Sequence, residues 1–366
     1  MFAREDAPVR VLVVDDSRLL RRGIRTILEG AGLVVVGECA SGVEAVAKVA
    51  SLRPDVVTLD LDMPGLDGLG TIEHIMAEHP TPIVVVTGDP SYRGLDGHFE
   101  ALARGAVELV PKPANMVASS EGCMRLVELV RTVSRVAVVP HVRGTARRRR
   151  RANTTMPLRP GATPRTGGYA APSVIAIGAS TGGPGALRTL LGGLEDMPVP
   201  IIAVQHMAEE FAEGFVRWLQ SQVAVPVHEA RVGTRMRPGN AYIAVRGPHL
   251  RVEADCTISA TAGAANPHRP SVDAVFTSLA NTCGKRGVGI VLTGMGDDGA
   301  LGLSEIHAAG GMTIAQDEES SVVFGMPGAA IARNAVRHVL PLDSIAKFTR
   351  DTCRADNAFL DRRETP

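Results

Sequence analysis

The sequence from Val174 to Leu187, VIAIGASTGGPGAL, decides the fold because it joins an apolar run to a glycine-rich turn and a second apolar segment. A short run of Val, Ile and Ala that ends in glycines predicts a buried strand followed by a turn and a helix. The same alternation continues toward the C-terminus, with the strand-like segments PIIAVQ, AYIAV, VGIVLTG and MTIAQ. Apolar strands separated by helices are typical of a parallel sheet covered on both faces. Residues 173–350 are therefore predicted to form an α/β domain.

A second set of alternating segments lies N-terminal to that region, between residues 9 and 135. Its strand-like runs are VRVLVV, LVVVGE, DVVTLD, PIVVVT and AVELV, each followed by a helix-like or polar stretch. Five such strands suit a flavodoxin-like domain, in which functional sites lie at the carboxyl ends of the strands. The chain of 366 residues is thus predicted to contain two doubly wound parallel-sheet α/β domains, as its length also suggests.

Residues 136–172 interrupt the pattern and are predicted to form a basic linker. Between Pro140 and Pro172 the chain has eight arginines, no acidic residue and many Pro, Gly and Thr residues. This composition cannot bury a core. A solvated spacer is favoured over a nucleic-acid-binding arm, because no base-reading motif or interleaved aromatic residue accompanies the arginines.

Composition limits the compartment and the partners of the chain. A formal net charge of zero gives no global reason to expect a nucleic-acid or membrane partner. The five cysteines are far apart and include no Cys-x-x-Cys pair, so neither a disulfide framework nor a zinc site is predicted. No apolar run is long enough to span a bilayer, and the N-terminus lacks a leader-like apolar core. These features predict a reduced, cytoplasmic protein.

Five polar side chains follow strands of the first predicted domain. Asp15 and Asp16 end the first strand, Asp60 ends the third, Thr87 ends the fourth, and Lys112 follows the fifth. In a parallel sheet these strand ends share one edge, where three carboxylates repel one another unless a cation joins them. An all-oxygen set suits Mg²⁺, and a lysine with a hydroxyl beside it suits a transferred phosphoryl group. Each residue alone is more often a solvated acid or a helix cap, but the ordered set predicts a phosphoryl-transfer site.

Ser180 lies in the middle of the turn that opens the second domain. Gly178-Ala-Ser-Thr-Gly182 fits the pattern G-x-S-x-G between a strand and a helix, where a nucleophilic hydroxyl is exposed beside helix-terminal N–H groups. The same kind of turn also binds phosphate or simply reverses the chain. A serine nucleophile needs a base and an orienting acid. His206 follows the strand PIIAVQ, and Asp297 and Asp298 follow VGIVLTG, so the three kinds of group are predicted to meet at one sheet edge.

Other histidines and one cysteine compete for these roles. His249, predicted at a hairpin, and His268, in a loop before a helix, do not follow central strands and are interpreted as loop or substrate-contact residues. Cys283 is small and helical, which favours core packing over nucleophilic attack. The remaining histidines are interpreted as helix-face or surface residues: His74, His79, His98, His228, His307 and His338.

Residues 9–135 resemble the receiver domain of two-component response regulators. The resemblance rests on the ordered aspartates, threonine and lysine described above, with Asp60 in the motif DLDMPGLDG. It implies that Asp60 is the phospho-acceptor and that Asp15 and Asp16 hold Mg²⁺ together with it. It further implies that Thr87 and Lys112 contact the phosphoryl group.

Two more positions matter to the receiver resemblance. The backbone carbonyl of Asp62 is implied as a further metal ligand. Leu109 lies three residues before Lys112, where many receivers carry a switching Tyr or Phe. Phosphorylation chemistry is expected to survive this departure, whereas rotation of an aromatic ring is not expected to be the switch.

The second predicted domain resembles the catalytic domain of the CheB-type chemotaxis methylesterases. The motifs that carry this resemblance occur in order along the chain: IGASTGG, VQHM, HRPSVD, LTGMGDDGA and TIAQDEESSVVFGMP. The resemblance implies five site residues, namely the triad Ser180, His206 and Asp298, the oxyanion-hole backbone N–H of Met295, and the supporting Thr181. Asp297 is then the structural alternative, either solvated or capping the next helix.

Together the two resemblances imply a protein-glutamate methylesterase regulated by phosphorylation. The implied reaction hydrolyses glutamyl γ-methyl esters on methyl-accepting chemoreceptors to glutamate and methanol, with deamidation of receptor glutamines by the same acyl chemistry. Mg²⁺ is implied for the receiver, and no cofactor for ester hydrolysis. The implied partners are chemoreceptors and the chemotaxis sensor histidine kinase, with no nucleic acid and with membrane contact only through the receptors. The receiver is expected to cover the active-site cleft until it is phosphorylated.

Overall fold

The computed structural model describes residues 7–88, 96–113, 115–136, 138, 173–261 and 268–360, with the backbone alone at 96–97 and 354–360. The linker predicted for residues 136–172 lies almost wholly outside these ranges. The described strands form two parallel sheets and one separate hairpin. The prediction of two parallel-sheet α/β domains is therefore confirmed.

The first sheet has five strands, β1 (Arg10–Val14), β2 (Val34–Cys39), β3 (Val56–Leu59), β4 (Ile83–Thr87) and β5 (Glu108–Pro111). All neighbours pair in parallel, in the spatial order β2-β1-β3-β4-β5. This is the flavodoxin-like order, in which a crevice opens between β1 and β3 because the winding direction reverses there. The helices of this domain are α1 (Arg18–Gly30), α2 (Gly42–Leu52), α3 (Gly68–Glu78), α4 (Asp96–Ala103) and α5 (Glu121–Val133).

The second sheet begins with the stretch that opened the sequence analysis, where Val174–Ala179 is a fully buried strand and Gly183–Leu191 is the helix after it. In chain order the strands of this domain are β6 (Val174–Ala179), β7 (Ile201–Gln205), β8 (Val227–Glu229), β9 (Ala241–Ala244), β10 (His249–Val252), β11 (Ile258–Thr261), β12 (Gly287–Val291), β13 (Met312–Gln316) and β14 (His338–Leu340). Seven of them form a parallel sheet in the order β14-β13-β12-β6-β7-β9-β8, and β10 pairs with β11 as an antiparallel hairpin. The winding reverses at β6, so a crevice is expected beside its carboxyl end.

Helices cover this larger sheet on both faces, as a fully apolar parallel sheet requires. They are α6 (Gly183–Leu191), α7 (Ala212–Gln222), α8 (Val272–Cys283), α9 (Ala300–Ala308), α10 (Met326–Ala332) and α11 (Leu342–Leu360), with 3₁₀ turns at Glu209–Phe211 and Gly284–Arg286. Within the described ranges, no helix is both long and apolar enough to cross a lipid bilayer.

An aromatic cluster joins the two domains. Phe99 of α4 stacks on Trp218 of α7 with ring centroids 5.6 Å apart, and its ring lies 5.5 Å from Phe215 and 6.4 Å from Phe211. The four side chains are almost completely buried. Because aromatic side chains bury large apolar areas, this cluster holds α4 of the first domain against α7 of the second.

Candidate functional site

Ser180 and His206 lie side by side at the carboxyl edge of the second sheet. The parallel register pairs Ala179 of β6 with Gln205 of β7, so the residue after each strand comes next to its counterpart. The His206 backbone N–H donates to the Ala179 carbonyl at 3.0 Å, and the Ser180 N–H donates to the Thr293 carbonyl beyond β12 at 3.0 Å. Ser180 therefore sits between β7 and β12, at the crevice where winding reverses.

Glycines are required around Ser180 because side chains would not fit. Gly182 has φ of +74°, and a Cβ there would lie 2.5 Å from Cβ of Val322. A Cβ on Gly294 would lie 2.7 Å from the Cβ of Ser180 and 2.3 Å from the sulfur of Met326. The left-handed backbone and the close approach together explain the glycines that the sequence places here.

Asp298 lies directly against the His206 ring. Its Oδ2 is 2.9 Å from His206 Nε2, and the carboxylate is 3% exposed. The same carboxylate accepts from the Ser271 hydroxyl at 3.0 Å and from the backbone N–H groups of Val272 and Asp273 at 2.8 and 2.9 Å. Burial raises the pKa of Asp298, but the contacts with His206 and the two amides outweigh it and hold the pKa below its ordinary value. The carboxylate therefore stays ionised at the start of α8, where the helix dipole also favours it.

A hydrogen bond between serine and histidine is not formed in this structure. Both ring nitrogens of His206 lack a partner of acceptable hydrogen-bond geometry among the described residues, and the Asp298 contact is close but poorly aligned. Catalytic hydrogen bonds are often loose without substrate and tighten in the complex. The fold thus brings Ser180, His206 and Asp298 to the same sheet edge, without a hydrogen bond between the Ser180 hydroxyl and the His206 ring.

Gln205 links the turn that contains Ser180 to His206, and sequence reasoning did not single it out. Its Nε2 donates to the Ser180 carbonyl and to the His206 carbonyl, both at 2.8 Å, and the side chain is 1% exposed. A Cβ on Gly183 would lie only 2.0 Å from Gln205 Oε1, which explains why the helix begins with glycine. The motif VQHM contains this glutamine, so its position directly before His206 was the sequence signal that could have identified it.

Thr181 directly follows Ser180, and Met295 lies in the loop after β12. The Thr181 carbonyl accepts from the Thr293 hydroxyl at 2.9 Å, and Gln316 Oε1 accepts from the Thr293 N–H at 2.9 Å. These bonds fix the loop that contains Met295. Among the described residues the Met295 N–H makes no hydrogen bond, which leaves it as a donor for a ligand.

The competing residues fall outside the triad. His268 stacks on His206 with ring centroids 4.6 Å apart and planes 19° from parallel, as a substrate-contact residue would. His249 begins β10 of the hairpin, as predicted, but is buried. Asp297 is exposed, and Cys283 packs half-buried at the end of α8. His98, interpreted as a helix-face or surface residue, lies on α4 and is not at the surface, because packing of α4 on the second domain leaves it 3% exposed.

The first sheet gathers its acidic residues at the crevice between β1 and β3. Asp15, Asp16 and Asp60 each place one carboxylate oxygen within 4.8 Å of the others. Lys112 Nζ lies 2.7 Å from Asp60 Oδ2 and 2.9 Å from Asp15 Oδ2. Burial raises the pKa of Asp60, opposed by Lys112 and assisted by the Asp15 carboxylate. Three carboxylates and no nitrogen or sulfur ligand form a donor set that fits Mg²⁺.

Thr87 lies at the same sheet edge, but its hydroxyl is hydrogen-bonded to His98. Its carbonyl accepts from the Lys112 N–H at 2.7 Å, which keeps the two residues adjacent. Its hydroxyl is 3.0 Å from His98 Nε2, in a buried hydrogen bond. The Thr87 hydroxyl is therefore shared with α4 in this structure.

Comparison with known proteins finds matches to both parts of the chain. Residues 175–349 match the CheB methylesterase family, and residues 11–119 match the response regulator receiver domain. The protein-glutamate methylesterase/protein-glutamine glutaminase 3 of Hahella chejuensis is 42% identical over 344 residues, which are 93% of this chain and 97% of the relative. The chain belongs to the CheB methylesterase family. A second member, protein-glutamate methylesterase/protein-glutamine glutaminase 2 of Anaeromyxobacter dehalogenans, is 42% identical over 96% of this chain and 99% of its own length.

A solved structure of the CheB methylesterase catalytic domain from Thermotoga maritima is also similar. It shares 34% sequence identity and covers 48% of this chain and 96% of its own length, with a TM-score of 0.46.

The receiver of this CheB family member contacts the turn that contains Ser180 through Glu108. Its Oε2 accepts from the Gly182 N–H at 3.3 Å, and its Oε1 accepts from the Leu109 N–H at 3.1 Å. Desolvation in the domain contact raises the pKa of Glu108 to about 7, although the two amides and Arg125 lower it. A carboxyl group of the first domain thus contacts the backbone two residues after Ser180.

Glu108→Gln is expected to remove a pH dependence of stability. Because the folded pKa is about 7 against an ordinary 4.5, the folded chain retains a proton that the unfolded chain has lost between these pH values. The free energy of unfolding of wild type therefore falls as the pH rises through this window. The difference obtained by subtracting the Tm of wild type from the Tm of Glu108→Gln should therefore be larger at pH 8 than at pH 5. The exposed Glu78→Gln is the control, and an equal Tm difference at both pH values for Glu108→Gln would contradict the assignment.

Proposed function

We propose that this chain is a phosphorylation-regulated protein-glutamate methylesterase that acts on methyl-accepting chemoreceptors. The observation that carries the proposal is the meeting of Ser180, His206 and Asp298 at the crevice of the second sheet, in a chain whose relatives have that name. The proposed catalytic domain spans residues 173–350 and the proposed receiver spans residues 9–135, with residues 136–172 between them as a linker.

Acylation begins with attack of Ser180 Oγ on the γ-carbonyl carbon of a glutamyl methyl ester. His206 accepts the hydroxyl proton, and with Nε2 at the Asp298 carboxylate the nitrogen left for that proton is Nδ1. Asp298 holds the ring and stabilises the imidazolium that forms. The imidazolium then protonates the leaving methoxide, so methanol departs and the glutamyl group stays on Ser180 as an ester.

Deacylation uses the same groups with water as the nucleophile. His206 removes a proton from water, the hydroxide attacks the acyl carbon, and the returned proton regenerates the Ser180 hydroxyl and a free glutamate. In both halves the oxyanion receives a hydrogen bond from the Met295 N–H, which makes no other one among the described residues. Thr181 supports this geometry through its carbonyl bond to Thr293.

Glutamine deamidation requires no further group. The same serine attacks the amide carbon, and the His206 imidazolium protonates the amide nitrogen as the C–N bond breaks, so that ammonia leaves instead of methanol. The names of the two relatives at 42% identity include protein-glutamine glutaminase, which supports this second activity of the same site.

Asp60 is the proposed phospho-acceptor of the receiver, with a sensor histidine kinase as phosphodonor. Asp15, Asp16 and Asp60 would hold Mg²⁺, which supplies positive charge to the phosphoryl oxygens when bound. Lys112, 2.7 Å from Asp60, is placed to pair with the phosphoryl group, and Thr87 is adjacent as a hydroxyl donor. Phosphorylation converts a contacted carboxylate into a bulky dianion, which is a change large enough to alter a domain contact.

Asp60→Asn is expected to abolish the response to a phosphodonor. The amide cannot form the acyl phosphate, so the rate of methanol release with acetyl phosphate and Mg²⁺, divided by the rate without them, should fall to about one. The ratio is measured on membranes that contain methylated chemoreceptors, with the exposed Asp343→Asn as control. A ratio in Asp60→Asn equal to that of wild type would show that another group receives the phosphoryl group.

A further inference from the structure

His98 occupies the contact between the phosphorylation site and the catalytic domain. Its Nε2 is hydrogen-bonded to the Thr87 hydroxyl at 3.0 Å, and its side chain is 3% exposed. The same ring also packs against the catalytic domain. Its centroid is 6.2 Å from the centroid of the Phe211 ring, and the two ring planes are at an angle of 50°. One buried imidazole therefore touches both a residue beside Asp60 and the second domain.

On the catalytic domain, the residue in contact with His98 is close in sequence to His206. Phe211 closes the 3₁₀ turn that follows His206, and its N–H donates to the Ala208 carbonyl at 3.0 Å. Phe99, the neighbour of His98 on α4, packs on the same Phe211 ring and on Trp218. Packing contacts therefore connect α4 to a turn that ends five residues after His206.

The position of the usual aromatic switch cannot perform this role. Leu109 is 6% exposed, belongs to the apolar core, and has no polar side-chain atom that could exchange hydrogen bonds with Thr87. Among the described residues, the hydrogen-bond partner of the Thr87 hydroxyl is His98.

We propose that His98 couples phosphorylation of Asp60 to the domain interface by competing with the phosphoryl group for the Thr87 hydroxyl. The proposal rests on the proposed function, in which Asp60 is phosphorylated and the receiver regulates the esterase. Without a phosphoryl group, Thr87 bonds to His98 and α4 is held in the docked arrangement. With one, the hydroxyl turns to the phosphoryl oxygens and His98 loses this partner.

The direction of the exchange follows from hydrogen-bond strength. In the His98 tautomer that the exchange requires, Nε2 accepts the single proton of the Thr87 hydroxyl. A charged phosphoryl oxygen is a stronger acceptor of that proton than a neutral imidazole nitrogen. The exchange removes the buried hydrogen bond that joins His98 of α4 to Thr87 at the end of β4, and loss of a buried hydrogen bond is destabilising. The docked arrangement of α4 on α7 is therefore weakened only when Asp60 is phosphorylated.

The test compares the phosphodonor response of His98→Leu with that of His98→Gln. Glutamine can place its terminal amide where Nε2 lies, whereas leucine fills the space with no polar atom. Each variant is assayed for methanol release with and without acetyl phosphate and Mg²⁺, and the fraction of phosphorylated Asp60 is measured on the same samples by phosphate-affinity electrophoresis. Since one net hydrogen bond corresponds to about a five-fold change in an equilibrium, the stimulation per phosphorylated molecule should fall about five-fold in His98→Leu and remain in His98→Gln.

Each outcome decides between coupling and its alternatives. Full stimulation of His98→Leu at wild-type phosphorylation would overturn the role of His98 while leaving the proposed function intact. Wild type that is phosphorylated but shows no stimulation would overturn the proposed regulation, and the inference with it. If His98→Leu does not fold, His98→Asn replaces it, because its shorter amide does not reach the Thr87 hydroxyl and should also lose the stimulation.

Discussion

Ser180→Ala is expected to lower kcat/KM for methyl ester hydrolysis by about 10⁴-fold or more, because no acyl intermediate can form without the hydroxyl. Residual activity would come from the Met295 N–H and from substrate binding alone. The measurement is methanol release by the purified chain from membranes that contain methylated chemoreceptors. Stability should not change, since the Ser180 contacts that hold the turn are made by its backbone N–H and carbonyl.

Ser304→Ala is a matched control for this variant. Ser304 is a helical residue of the same domain, and its hydroxyl donates to the nearby Leu301 carbonyl. The control should retain wild-type activity and a similar Tm. If Ser180→Ala hydrolysed the ester at a rate within ten-fold of the control, Ser180 would not be the nucleophile, and the turn would be a binding element instead.

Asp298→Asn is expected to lower kcat by about 10³-fold to 10⁴-fold. The amide keeps the size of the side chain but lacks the negative charge that stabilises the His206 imidazolium, and its N–H₂ group favours the wrong tautomer of the ring. The variant also loses part of the hydrogen bonding to Ser271, Val272 and Asp273, which should lower the free energy of unfolding by about 1–3 kcal/mol. Initial rates and thermal unfolding of the same preparation separate the two effects.

Asp297→Asn distinguishes the two adjacent aspartates. Asp297 is exposed, whereas Asp298 is 3% exposed and contacts His206. The Asp297 variant should therefore keep nearly full activity. A larger loss of kcat in Asp297→Asn than in Asp298→Asn would show that Asp297, and not Asp298, is the orienting acid.

The features that the sequence predicts well are those that depend on local pattern and on the geometry of parallel sheets. Apolar runs such as Val174–Ala179 are buried strands because only a covered sheet accepts them. Since strand ends of a parallel sheet share one edge, the positions of Ser180, His206 and the pair Asp297–Asp298 after their strands were enough to predict that a serine, a histidine and an aspartate meet. The choice of Asp298 over Asp297 came from the family resemblance. The same reasoning brought Asp15, Asp16 and Asp60 together.

Other features depend on contacts between distant segments and leave no local pattern. The edge strands Val227–Glu229 and His338–Leu340 have only three residues each, too few to show a period. His98 belongs to a short helix, and its burial results from packing on Phe211, which lies more than a hundred residues later in the chain. Glu108 likewise owes its raised pKa to the domain contact, which no single-segment pattern contains.

The most direct test of the central claim is methanol release by wild-type protein from methylated chemoreceptor membranes, with and without acetyl phosphate and Mg²⁺. The triad geometry and the receiver site together predict release in both conditions, with a faster rate when the phosphodonor is present. Absence of methanol release in both conditions, from a chain that is folded and phosphorylated on Asp60, would contradict the methylesterase function.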